Sequence, residues 1–260
     1  MTIPRDILAE NEVLRDWTIL HVWRGSMAHG TYVPNDDPLS IDDKDTLAIC
    51  VPPKSYYLGL DEFGSRGTQE IRRNEWDIVI YECRKAMRLF SQGNPNVLSA
   101  LWVDPIHIIS ATTAGKVLRQ SREVFVGKHV YRSFVGYATA QLHKMEAFSF
   151  EGYMGDKRKS LVEKFGYDTK NAAHLIRLLR MGIEFLSEGN LYVHRHDAPE
   201  LRDIKAGKWS LEQVKREAKR LFELAEEAYV RSKLPPQPDR QVVSQLTANL
   251  VQIAWDERIP

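Results

Sequence analysis

The apolar positions of this chain change rhythm near residue 110. Before it they come in short blocks bounded by turn residues. After it they recur at the three- and four-residue spacing of amphipathic helices. Residues 4–16 carry the spacing of a short helix. Thr18-Ile-Leu-His-Val-Trp23 is rich in β-formers and runs straight into Gly25-Ser26, which predicts a strand and then a tight turn. Thr46-Leu-Ala-Ile-Cys-Val51, closed by Pro52-Pro53, predicts a buried strand, and Trp76-Asp-Ile-Val-Ile-Tyr81 a third. Residues 61–74, opening Asp-Glu-Phe-Gly-Ser-Arg-Gly-Thr, predict a loop or hairpin region. A helix follows the third strand, with Ala86, Leu89 and Phe90 among its apolar positions and Gly93 as its stop. Asn94 or Asn96 caps the next one, with Pro95 early in it.

Helical segments are then predicted near 112–122, 127–148, 168–188, 210–232 and 238–255, the last two separated by Pro235-Pro236 and Pro238. No internal repeat or low-complexity tract interrupts them. The expected organisation is an N-terminal α/β unit, 1–110, followed by a C-terminal helical unit, 111–260, the two sharing one interface.

Composition narrows the class. The 260 residues are 43% apolar and 27% charged, ordinary for a soluble globular protein. No stretch nears the roughly 18 consecutive apolar residues that a bilayer span needs. The start lacks a basic region followed by an apolar core, so no secretory leader and a cytoplasmic location are expected. Cys50 and Cys83 lie inside apolar segments without zinc-ligand spacing and read as buried thiols of a reducing compartment. Thirty-six basic against 35 acidic residues, a net charge of +1, excludes a uniformly basic nucleic-acid coat. The charges are nonetheless uneven. Residues 35–45 hold Asp36, Asp37, Asp42, Asp43 and Asp45 against Lys44. Residues 156–180 hold seven cations against Asp156, Glu163 and Asp168. That division suits a metal-plus-phosphate site, and a solvated surface produces it equally well.

Gly25-Ser26 after a strand lets the backbone approach a phosphate, with the Ser hydroxyl as an extra donor. Standing alone, such a turn is usually only a turn. Asp43 and Asp45 are i and i+2 at a strand start, so the strand period of two puts both carboxylates on one face. They repel each other, and a divalent ion such as Mg²⁺ relieves the repulsion. The plainer reading is an acidic turn in water. Asp77 opens the third predicted strand. Beside Asp43 and Asp45 it completes a three-carboxylate cluster of the kind that holds two metal ions about 4 Å apart. Glu75 shares its parity further outside the apolar run, and Glu82 falls on the opposite face.

Gly-Ser, then Asp-x-Asp on a strand, then a third acid on a neighbouring strand resembles the DNA polymerase β nucleotidyltransferase superfamily. The fuller pattern is closer to its RNA-repair-associated branch. It comprises Gly25-Ser-x-Ala-x-Gly30, Asp43-x-Asp45 running into Val51-Pro-Pro53, and Tyr56-Tyr-Leu-Gly59. Arg84-Lys85, Gly93-Asn-Pro-Asn-Val-Leu98 and Tyr167-Asp-Thr-Lys-x-Ala-x-His174 with Leu-Ile-Arg-Leu-Leu-Arg180 continue it, in order from about residue 19 to 234. The resemblance implies an α+β fold: a polymerase-β-like palm with a mixed sheet, then a helical bundle. It implies metal-dependent transfer of an NMP from an NTP, expected to be ATP, with Mg²⁺ or Mn²⁺. Gly25 and Ser26 take the phosphate role, and Asp43, Asp45 and Asp77 the catalytic and metal roles. The stretch Thr31–Asp42 is longer than the family's usual connection, and His29 stands where an aromatic is common.

The helix after Tyr167, capped by Asp168 or Thr169, puts Lys170, His174, Arg177 and Glu184 on one face amid apolar neighbours. Such a stripe is costly unless it meets water, acids or a ligand. It reads either as a clamp for triphosphate or RNA backbone, with Arg177 as the best fork, or as an interdomain salt bridge. Tyr56, Tyr57, Asn94 and Asn96 read as packing and capping residues, His194, His196 and Asp197 as surface. Lys157-Arg-Lys159 reads as a solvated face that could grip RNA. The acceptor implied is an RNA end, tRNA-like, with no membrane partner. Protein AMP-addition, small-molecule adenylylation or a silent nucleotide-binding regulator are the alternatives.

Overall fold

The computed structural model describes residues 3–34, 43–146 and 156–258. In chain order the helices and strands are α1 (Arg5–Glu10), β1 (Thr18–Trp23), α2 (Gly25–His29), β2 (Lys44–Cys50), α3 (Ser55–Leu58), β3 (Thr68–Arg73), β4 (Trp76–Glu82), α4 (Cys83–Ser91), α5 (Pro95–Leu98), β5 (Ile108–Ala111), α6 (Thr113–Gln120), α7 (Val130–Glu146), α8 (Asp156–Phe165), α9 (Thr169–Glu188), α10 (Ala198–Lys205), α11 (Leu211–Arg231) and α12 (Arg240–Asp256). The class is α+β, as expected.

The strands form one mixed sheet in the order β3-β4-β2-β1-β5. Only β2 and β4 pair in parallel; the other neighbours are antiparallel. The three central strands are the three expected from their apolar runs. The 61–74 region, expected as a loop or hairpin, contributes the edge strand β3, which pairs antiparallel with β4; apart from Ile71, which packs against the core, it is polar. Charged residues on an edge guard it against further pairing. β5 is four residues long and too short to announce itself. Residues 4–16 are α1 plus a separate wide turn, Val13–Trp17, rather than one helix.

The chain divides into two compact units. One holds residues 1–28, 43–126 and 237–260, the other 29–42 and 127–236. The division therefore runs elsewhere than at residue 110: β5 and α6 stay with the sheet, and so does the final helix. In the first unit, even-numbered residues of β2 and β4 (Ala48, Cys50, Trp76, Ile78 and Ile80) bury one sheet face with Ile3, Ile7, Leu14 and Phe63. Gly115 brings α6 onto β1 so closely that a Cβ would stand 2.0 Å from the Ile19 carbonyl oxygen. α12 is tied to β2 across some 200 residues of sequence. Trp255 Nε1 donates to Pro52 O at 3.0 Å, and Arg258 donates to Val51 O and Trp17 O at 2.6 and 2.8 Å. Both cysteines are free and buried, and burial pushes their thiols well up.

The second unit is built round α9, which contacts α7, α10 and α11. Asp168 caps it through the Asn171 amide, and Gly189 ends it with φ of 70°. α8 and α10 were not foreseen: both are short, and their apolar faces are narrow. Among the described residues no helix is long and apolar enough to cross a membrane.

Two outcomes follow for stability. The Arg258→Ala chain leaves two carbonyls without their charged donor. We expect a loss of about 1–3 kcal/mol, read as a lower thermal midpoint; an unchanged midpoint would detach α12 from the integrity of the first unit. His21 is 2% exposed, shares a 3.0 Å hydrogen bond with Thr46 Oγ1, and burial lowers its pKa from 6.5 to about 4. The unfolded chain therefore binds this proton at a pH where the fold does not. Stability from this group is complete above pH 6.5, falls as pH drops towards 4, and totals about 3 kcal/mol. Thermal scans between pH 4 and 7.5 should show that fall, and His21→Gln should flatten it.

Candidate active site

The register of the parallel pair sets Asp45 directly opposite Asp77. Because the even-numbered residues of both strands face the core of α1, these two odd-numbered aspartates share the other face. Their side chains are about a quarter exposed, at 27% and 25%. Adjacent strands lie about 4.8 Å apart, so the two carboxylates repel each other unless a cation stands near them.

A cation does. Arg24 Nη2 is 3.5 Å from Asp45 Oδ1 and 3.5 Å from Asp77 Oδ2. The Arg24 amide also donates to Asp45 O at 3.0 Å, continuing the β1–β2 ladder one residue past β1. Sequence reasoning missed Arg24. The available signal was its place between strand and Gly-Ser turn, where antiparallel pairing with β2 sets it across from Asp45.

Gly25 follows with φ of 59°. A Cβ there would stand 2.6 Å from Asp45 Oδ2, so only glycine lets the turn close against the carboxylate. Three buried polar atoms in this neighbourhood have no hydrogen-bond partner: Ser26 Oγ, Asp77 Oδ1 and Arg24 Nε. Each such atom costs about 1–3 kcal/mol when nothing satisfies it, so their concentration marks a place built for a ligand. Paired carboxylate oxygens suit a hard divalent ion, and a free hydroxyl beside a glycine turn suits a phosphate oxygen. The residues present fit the metal and nucleotide that the sequence pattern implied.

Asp43 lies one residue before β2, exposed. Among the described residues, Asp43, Asp45 and Asp77 do not bring three ligand atoms within 4.8 Å of one another. The two competing acids have other work. Glu75 pairs with Lys44, which donates to it. Glu82 is buried and caps α4 by accepting from the Arg84 and Lys85 amides. Asp36, Asp37 and Asp42 lie outside the described residues, as do the side chains of Lys157 and Arg158. Tyr56 packs edge-on against Trp17 and Phe63, and Tyr57 against Trp255. Asn94 caps α5 through the Asn96 amide.

In the second unit, α9 carries Lys170, His174 and Arg177. Lys170 and His174 are partly exposed and Arg177 is buried. Arg177 Nη1 approaches Met181 Sδ at 3.1 Å. Burial, with Arg195 nearby, brings its pKa down to about 10 against the pull of Asp197. Enclosure, then the cations of Arg177, Lys170, Lys205 and His29, hold His174 well below its usual range. The neighbouring arginines are differently placed. Arg180 bonds Asp197, Glu200 and Glu217 at 2.8, 2.5 and 3.2 Å. Arg195, fully buried, closes a fork on Glu184 and bonds Asp197. His194 and His196 are exposed, with the Arg195 side chain buried between them.

Residues 5–234 match the family described as RlaP, RNA repair pathway DNA polymerase beta family. No curated protein matches the chain. Among solved structures it is similar to a nucleotidyltransferase-like protein from Exiguobacterium sibiricum 255-15. The identity is 12% and the TM-score 0.31, over 98% of this chain and 79% of that one. The family match runs from α1 to just beyond α11, taking in the whole sheet. The chain belongs to the RNA repair pathway DNA polymerase beta family and is a nucleotidyltransferase.

Proposed function

We propose that this nucleotidyltransferase moves an NMP from an NTP, ATP first among them, to a hydroxyl on a tRNA-like RNA end. The observation that carries the reading is the facing pair Asp45 and Asp77 with the Gly25-Ser26 turn closed against it. The family's description supports an RNA acceptor. A net charge of +1 suits a small contact patch rather than a long nucleic-acid track.

Asp43 and Asp45 would hold Mg²⁺ or Mn²⁺, with Asp77 as the third carboxylate. A bound divalent ion supplies neutralisation of the phosphate oxygens and a lower acceptor pKa. Asp77 takes the acceptor proton as its oxygen attacks the α-phosphorus. The new O–P bond forms in line with the bond to the bridging oxygen that breaks, and pyrophosphate leaves with that electron pair. Ser26 Oγ donates to a terminal phosphate oxygen. On α9, Lys170, His174 and Arg177 would form a clamp for phosphate, Arg177 offering the planar fork.

Label transfer from each α-³²P-labelled NTP tests this, with the divalent ion, total cellular RNA and a protein lysate as acceptors. We expect label on RNA, falling at least about 100-fold in an Asp45→Asn, Asp77→Asn chain that keeps its thermal midpoint. Label on a polypeptide or a small molecule would replace the RNA acceptor. NTP binding without label anywhere would leave a silent regulator. For the clamp, Lys170→Gln is expected to weaken NTP binding about tenfold by calorimetry, and unchanged affinity would remove α9 from the nucleotide site.

A further inference from the structure

The contacts of Arg24 are unlike those of the structural arginines in the same chain. Arg195 is fully buried and closes a two-nitrogen fork on Glu184, at 2.5 and 2.8 Å. That is the geometry of a permanent ion pair. Arg24 instead reaches two carboxylates through a single nitrogen, at 3.5 Å from each. Charge-assisted N–H···O bonds run about 2.7–2.9 Å, so the hydrogen bond to Asp45 Oδ1 is long and the contact with Asp77 longer than such a bond. Its Nε is buried without a partner, and so is the second oxygen of Asp77. The side chain is 23% exposed, which leaves it a path towards solvent. Its own backbone is fixed by the bond to Asp45 O, so only the side chain has to move.

We propose that Arg24 is a built-in counter-ion of the Asp45–Asp77 pair that a divalent metal must displace. This rests on the reading of the two aspartates as metal ligands. Without a positive charge between them, the parallel register would force two carboxylates together at the cost of their mutual repulsion. Arg24 removes that cost before any metal arrives. The guanidinium and the ion compete for the same oxygens, so the affinity for metal is the difference between two attractions. Arg24 is a positioning residue: it touches the ligands of the ion and lowers the affinity of the site for it.

Mn²⁺ binding to the full chain, followed by the electron paramagnetic resonance of the free ion at pH 7.5, tests the competition without turnover. Arg24→Gln is expected to bind Mn²⁺ about tenfold more tightly than the parent, within the usual range of coupling between sites. Arg24→Lys keeps the charge but loses reach, and should fall between the two. It decides the ordering if Arg24→Gln does not fold. Without metal, Arg24→Gln should melt below the parent, and Mn²⁺ should raise its midpoint by more. Equal or weaker Mn²⁺ binding by the variants, with binding lost in Asp45→Asn, Asp77→Asn, would overturn the competition and leave the metal reading standing. No saturable Mn²⁺ binding in any chain would bring down the metal reading, and this proposal with it.

Discussion

Everything at the candidate site depends on the register of one parallel strand pair. β2 and β4 run side by side from Lys44 opposite Trp76 to Cys50 opposite Glu82. A slip by one residue would turn either aspartate to the opposite face and disturb the packing on both, because Leu47, Ile49 and Val79 are buried on one face as Ala48, Cys50, Ile78 and Ile80 are on the other. Packing on the two faces thus fixes where the aspartates lie. The burial of Trp76, Ile78 and Ile80 beside Ala48 and Cys50 supplies the free energy that holds two like charges together. The same register demands a positive charge at the carboxylate end, and Arg24 stands there through the β1–β2 ladder. Lys44, the first residue of β2, and Glu75, just before β4, neutralise each other.

The opposite end of the pair is held by a different device. Pro52-Pro53 ends β2, and prolines cannot donate to a ladder. The carbonyls of Val51 and Pro52 then take their donors from the Arg258 guanidinium just past α12 and the Trp255 indole within it, and Arg258 also donates to Trp17 O beside the Val51 amide. Glu257 closes the same corner by accepting from the Thr113 amide at the start of α6. A helix at the far end of the sequence therefore completes the unit that holds the carboxylates, and burial lowers the Arg258 pKa as it does so.

The sequence made local features legible and long-range ones obscure. The central strands, the Asn94 and Asp168 caps and the buried cysteines follow from propensity, turn chemistry and apolar runs. Of the edge strands, β5 did not show, because four residues are too few to carry a pattern, whereas β3 lies in the region read as a loop or hairpin. The allegiance of α12 did not show either. Its amphipathic pattern says that it packs, but not that it packs on α6 and α4 and hands its indole to a carbonyl about 200 residues away. At the site, parity indicated that Asp77 could meet the Asp-x-Asp strand; only the register says that it meets Asp45 and leaves Asp43 outside the strand. Arg24 escaped notice because the charge it answers is created by pairing, which no local window contains.

The second unit divides its cations into two kinds, and the division bears on what α9 can do. Arg180 and Arg195 are matched by Asp197, Glu184, Glu200 and Glu217, and those bonds raise their pKa values against the opposing effect of burial. Arg177 and His174 show the reverse: burial and neighbouring positive charge pull both down. Burial is the first cause for both, so α9 holds His174 and Arg177 where water solvates a charge poorly, whereas Arg180 meets three acids in the same unit.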